Sequence, residues 1–132
     1  MILVDTNVLL DVLRDDQAWR EWSSKALASA AALDEVVINP VIYAELSSQY
    51  EEIRALDTAL DSLRIGYFEI PRTALFLAGH AFRRYRRAGG TRAGVLSDFF
   101  IGAHAAVAAA TLLTRDSGRV RSYFPTVAVI EP

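Results

Sequence analysis

Four acidic residues stand where chemistry is possible: Asp5, Glu45, Asp98 and Asp116. Asp5 directly follows an apolar run, Met1-Ile2-Leu3-Val4, and Asp116 lies just past a second run that ends at Thr114. Asp98 opens an alanine-rich stretch, and Glu45 sits in the first turns of a segment that starts at Asn39-Pro40. Carboxylates brought together repel one another unless a cation neutralises them. The chain has no cysteine and no histidine beside these acids. A donor set made only of oxygen favours magnesium or manganese. Such an ion binds a phosphate oxygen, activates water and stabilises a leaving oxygen. The composition of the set therefore suggests hydrolysis of a phosphate ester or phosphodiester.

Each acid also has a plainer reading. Asp5 caps a helix over about residues 7–13, Asp98 strengthens a cap at Ser97, and Asp116 caps the helix after it. Glu45 is a solvated helix residue on that view, although Val41, Ile42 and Leu46 around it are apolar. Thr6 and Asn7 read equally as turn residues. His80 and His104 read as structural. His104 lies six positions past Asp98, on a different face of the same helix. Trp19 and Trp22 read as core or interface anchors.

The elements that must position the acids follow from periodicity. Short apolar runs at 1–4, 36–38, 111–114 and 127–130 read as buried strands, with a weaker one at 67–70. Between them lie helical segments at about 7–13, 17–33 after a cap at Asp16, from Pro40, 51–64, 72–87, 97–109 and 117–124. Ile53, Leu56, Leu60 and Leu63 form the stripe of the fourth of these. Leu75, Ala78, Phe82 and Tyr85 share one side of the fifth, which is expected to pack on the sheet, with a stop at Gly89-Gly90. Alternating strands and helices predict an α/β fold with a parallel sheet covered on both faces. In such sheets the acids all fall near the carboxyl ends of strands, where ligands bind.

At 132 residues the chain is expected to be one domain, 1–132, able to bury its own core. The hydrophobic share of 52% excludes disorder. The net charge is −2, which is unpromising for a nucleic-acid binder until its distribution is considered. No acid occurs between Glu69 and Asp98, a stretch holding Arg72, Arg83, Arg84, Arg86, Arg87 and Arg92. Arginine suits phosphate because its planar fork grips two oxygens. Arg83, Arg84, Arg86, Arg87 and Arg92 are therefore candidate contacts to a phosphate backbone, and a solvated helix face is the alternative. The lack of cysteine fits a reducing compartment. The amino-terminal run is too short and lacks the basic start of a signal peptide. A cytoplasmic protein with no membrane segment is the expectation.

Val4-Asp5-Thr6-Asn7 after the first strand resembles the opening motif of the PIN-domain family. Glu45 within Tyr43-Ala44-Glu45-Leu46 is similar to its second acid, and Asp98 within Ser97-Asp98-Phe99-Phe100-Ile101-Gly102-Ala103 to its third. Thr114-Arg115-Asp116, followed by a short helix and Tyr123-Phe124-Pro125, resembles its closing motif. The resemblance spans essentially the whole chain and rests on the ordered set, since no single motif is specific.

The resemblance implies a three-layer α/β/α fold and a magnesium- or manganese-dependent ribonuclease site. Asp5, Glu45, Asp98 and Asp116 would bind metal, supported by Thr6 and Asn7. It also implies a toxin of the VapC type, with an antitoxin partner and a homodimer. Gly102, where many members carry alanine, is a minor departure. Two other readings compete. A phosphatase of the haloacid-dehalogenase type needs a second aspartate where Asn7 stands and a core lysine, whereas Lys25 is the only lysine. A PIN-fold module that binds RNA or protein without cutting would be expected to have lost one of the acids.

Overall fold

The computed structural model describes all 132 residues apart from Ala93. Five strands form one sheet: β1 (Ile2–Val4), β2 (Val36–Ile38), β3 (Gly66–Tyr67), β4 (Thr111–Leu113) and β5 (Val129–Ile130). Their order is β3-β2-β1-β4-β5, and every pairing is parallel. Ile2 sits opposite both Val36 and Thr111, so β1 is the central strand. All of β1 and β2 is buried. Successive strand side chains point to opposite faces, so burial of every one requires cover on both sides of the sheet. The α/β class, the parallel sheet and the layered architecture are as predicted.

The helices supply that cover: α1 (Thr6–Leu13), α2 (Arg20–Leu33), α3 (Pro40–Ser47), α4 (Ile53–Ser62), α5 (Arg72–Arg87), α6 (Leu96–Val107) and α7 (Gly118–Tyr123). Asn39 caps α3, its side-chain oxygen accepting from the Ile42 amide at 3.0 Å, and Pro40 occupies the first turn, where no backbone donor is needed. The chain leaves α5 through Gly89, whose φ of 96° suits only glycine without strain. Among the described residues no helix is long and apolar enough to cross a membrane.

Several local expectations are corrected. Helix α5 packs chiefly on α6 and not on the sheet, through Ala74, Ala78 and Ala81. Small side chains let two helices approach closely, and Phe82 and Tyr85 then flank the contact while Leu75 is left 42% exposed. On α4 only Leu56 and Leu60 are buried, whereas Ile53, at the exposed start of the helix, is 71% exposed. Helix α2 starts at Arg20 because Asp16 spends its carboxylate on the amides of Ala18 and Trp19, holding 17–19 in a turn. Ser97 is not a cap but lies inside the first turn of α6. Strand β3 starts one residue earlier than predicted and ends at Tyr67. Phe68 adds one hydrogen bond to Ile38 before Pro71 opens α5.

Candidate active site

The strand order turns around at β1, with β2 and β3 on one side and β4 and β5 on the other. A crevice opens beyond the carboxyl ends of strands at such a switch point. Asp5 is the residue immediately after β1, and its amide bonds to the Leu113 carbonyl at 2.9 Å. The Asp5 carboxylate is fixed from two directions. One oxygen accepts from the Thr6 amide at 2.7 Å, which also makes Asp5 the cap of α1. The other accepts from the Thr114 hydroxyl at 2.8 Å and from the Asn7 amide group at 3.4 Å.

Asp5, Asp98 and Asp116 line a single small pocket with Ile101, Leu112, Arg119 and Val120. Burial pushes the Asp5 carboxyl up to about 6, the hydrogen bonds from Thr114 and Thr6 opposing it, and the charges of Asp98 and Glu45 adding to it. Asp98 is raised by burial as well, against the pull of Arg119, with Asp116 adding a little repulsion. Glu45 does not line the pocket but stands at its edge. The Thr6 hydroxyl donates to it at 2.7 Å and the Ser97 hydroxyl at 3.3 Å. Serine at 97 thus ties α6 to α3 instead of capping α6. Asp116, like Glu45, is exposed, and its amide donates to the Thr114 hydroxyl at 3.0 Å.

Beyond Asp5 and Asp98, the two helices that carry Glu45 and Asp98 are tied to each other. Asn39, wholly buried at the start of α3, donates from its amide group to Nδ1 of buried His104 on α6 at 3.2 Å. Burial lowers the His104 pKa, so the ring is neutral and accepts through that nitrogen. Histidine 104 is structural here, on the face of α6 away from Asp98. Gly102 is more than a minor departure: a Cβ there would come within 2.4 Å of the Phe124 ring. Its absence lets α7 seat against α6 and brings Arg119 to Asp98.

Three residues of this site were not anticipated. Arg119 donates from Nη1 to Asp98 at 2.7 Å. Arg115 forms a two-pronged pair with the buried Asp11, at 2.7 and 3.1 Å, and Ser23 donates to the same carboxylate at 2.6 Å. The Arg115 amide donates to the Asn7 side-chain oxygen at 3.2 Å, so the pair fixes the segment between Thr114 and Asp116 against α1. A local signal existed for the place of two of them, though not for the partners they meet. Asp11 falls one helical turn after Asn7, and Arg119 lies three residues after Asp116 at the start of a helix.

The five candidate arginines divide. Arg83, Arg84, Arg86, Arg87 and Arg92 are all exposed. Arg92 is near enough to Asp98 to stabilise its charge. Arg84 lies over the Tyr123 ring at 5.5 Å and donates to its carbonyl at 3.4 Å. Arg83, Arg86 and Arg87 are not among the residues that line the acidic pocket.

The donor set fits a divalent cation in kind: hard oxygens only, one of them on a carboxylate whose burial without a counter-charge raises its pKa. In the present side-chain arrangement, among the described residues, no group of three such ligands converges closely enough to enclose an ion. The Arg119 pair draws one Asp98 oxygen to itself.

A family model described as PIN domain matches residues 2–123. No curated protein matches the sequence. Among solved structures, the chain resembles one in VapBC2 from Rickettsia felis bound to a DNA fragment from its promoter, with a TM-score of 0.74 and 19% identity over 100% of this chain and 99% of that one. A chain of VapBC-1 from nontypeable Haemophilus influenzae gives 0.73 and 18%, over 99% and 98%. A chain of FitAcB from Neisseria gonorrhoeae gives 0.63 and 22%, over 98% and 96%.

Proposed function

Because the chain belongs to the PIN-domain family, we propose that it is a metal-dependent endoribonuclease and the toxin of a toxin–antitoxin pair. The observation that carries the reading is the pocket at the sheet's switch point lined by Asp5, Asp98 and Asp116. The solved structures it resembles include proteins described as toxin–antitoxin complexes, which supports the partner half of the proposal.

Asp5 and Asp98 would hold one or two magnesium or manganese ions, with Glu45 and Asp116 completing the shell directly or through water. A bound divalent ion supplies the charge that activates an attacking water and stabilises the departing sugar oxygen. The chain's residues set the stage for that chemistry. Thr6, Asn7 and Thr114 orient the Asp5 carboxylate, while Thr6 and Ser97 hold Glu45 at the pocket edge. Arg119 neutralises Asp98 until a cation shares it. No side chain is placed as a nucleophile, so products should carry a 5′-phosphate and a 3′-hydroxyl. The exposed Arg83, Arg86 and Arg87 would draw the RNA backbone toward the site.

The purified chain should cut RNA with manganese and stop when chelator is added. Asp5→Asn or Asp98→Asn should abolish cleavage in a folded protein, and 2′,3′-cyclic phosphate ends would refute the route. The rival reading, a PIN fold that binds without cutting, draws on the Arg119–Asp98 pair, and persistent inactivity with manganese would favour it. Leu33, Ile53 and Phe76, each at least 70% exposed, are the apolar side chains a second copy or an antitoxin would cover. Expression of the chain alone should arrest growth, and its partner should relieve that arrest.

A further inference from the structure

A second groove adjoins the acidic pocket and shares two residues with it. It is lined by Tyr85, Arg92, Asp116, Arg119, Ser122 and Tyr123, and its volume is about 380 Å³. Asp116 and Arg119 belong to both spaces, so anything in the groove lies next to the acids.

The walls are packed. Tyr85 packs on Phe99 with ring centroids 5.5 Å apart, and Tyr123 packs on Phe99 at 5.1 Å. Phe99 is fully buried and is the residue after Asp98. Gly90 lies against the Tyr85 ring where any side chain would overlap it. The Tyr85 hydroxyl accepts from the Arg92 amide at 3.2 Å, which holds the loop after α5 at the groove's rim. The Arg119 guanidinium lies 5.5 Å from the centre of the Tyr85 ring while its Nη1 reaches Asp98. The groove therefore combines two tyrosine rings, two guanidinium groups and one carboxylate.

We infer that this groove is a subsite for a single-stranded nucleotide flanking the bond to be cut, with Arg119 and Arg92 on its phosphate and Tyr85 or Tyr123 against its base. The inference rests on the nuclease reading for which bond is cut, but the groove's affinity does not depend on cleavage. Aromatic faces beside cationic groups suit unpaired bases of any sequence. A duplex, whose bases are already stacked, presents no free face to them. An acidic peptide would satisfy the arginines and leave the tyrosines without a role.

The test uses the full chain in chelator, with a fluorescein-labelled six-nucleotide oligouridylate as the probe and anisotropy as the readout. Ser122→Trp fills the groove without changing charge, and Ser122 is exposed, so folding should be unaffected by thermal melt. It should weaken binding about tenfold. Arg119→Ala should weaken it as well and flatten the salt dependence by roughly 0.7 in slope for the lost phosphate contact. An abasic oligomer of equal charge should bind worse than the oligouridylate to the wild type and no worse to Ser122→Trp. Equal affinity of wild type and Ser122→Trp, or no binding of the oligomer at all, would overturn the subsite. Hexaglutamate displacing the oligomer at similar concentration would overturn it too, in favour of an acidic peptide. Manganese-dependent cleavage with an indifferent Ser122→Trp leaves the nuclease reading standing alone. Groove binding without cleavage leaves the subsite standing alone.

Discussion

Asp5 is held in a state that costs the fold. Its carboxyl pKa is pushed up to about 6 from 3.8, chiefly by burial. The folded state thus holds the proton more tightly than the unfolded chain. From pH 3.8 to about 6 this group's contribution to stability falls as pH rises, and above 6 the cost of the buried charge is fully present. Asp5→Asn in chelator at pH 7.5 should therefore raise stability by about 2 kcal/mol, since one pKa unit corresponds to about 1.4 kcal/mol and one hydrogen bond is weakened. The gain should vanish near pH 4, as urea unfolding at both pH values would reveal. A variant destabilised at pH 7.5 would show that its hydrogen bonds outweigh the burial. The Asp11–Arg115 pair works in the opposite sense. Asp11 is 2% exposed, so Arg115→Ala leaves a buried charge and should cost about 3 kcal/mol. On the proposed function, cleavage should fall by more than the loss of folded protein explains, because the Arg115 side chain fixes the segment whose backbone amide locates Asn7.

At the scale of elements, the site is a set of carefully spaced helix contacts. Asn39 serves α3 as a cap and α6 as a tether through His104. Asn39→Ala removes both and should cost about 2–3 kcal/mol, one for the cap and the rest for the buried imidazole left unpaired. Helix α7 seats on α6 only because residue 102 has no side chain. Gly102→Ala should lower stability by about 1–3 kcal/mol through overpacking against Phe124. It should also loosen the Arg119–Asp98 contact, which nuclear magnetic resonance of the guanidinium protons would report. A stability unchanged from wild type would mean that Phe124 has room to move. This contact was illegible in the sequence. A glycine in an alanine-rich helix carries no sign of the ring that will lie on it. The same blindness put α5 on the sheet: Ala78, Phe82 and Tyr85 of its predicted side meet α6 instead, Ala74 and Ala81 join them there, and Leu75 is left out.

For the whole molecule, the parallel sheet and the positions of the acids at strand ends were legible, because strand and helix periods alternate cleanly and the acids interrupt apolar runs. What was not legible is what depends on distant side chains meeting: Arg115 on Asp11, Arg119 on Asp98 and the groove beyond it. Those pairs join residues 104 and 21 positions apart, and periodicity is a local signal. The same topology has a consequence for how the molecule comes into being. Strand β1 is central, and its partner β4 begins at Thr111, so Leu3 finds Leu112 only after nearly the whole chain is available. Closing so long a loop precedes any reward from the contact, which makes assembly of such sheets slow. Because the Asp5 amide itself bonds to Leu113, the acid pocket has no partly built form. Its amide proton should exchange with solvent only through complete unfolding, at the same free energy as the innermost residues of β1, and a lower value would reveal a site that opens on its own. A chain interrupted before β4 would carry Asp5, Glu45 and Asp98 and still have nowhere to gather them.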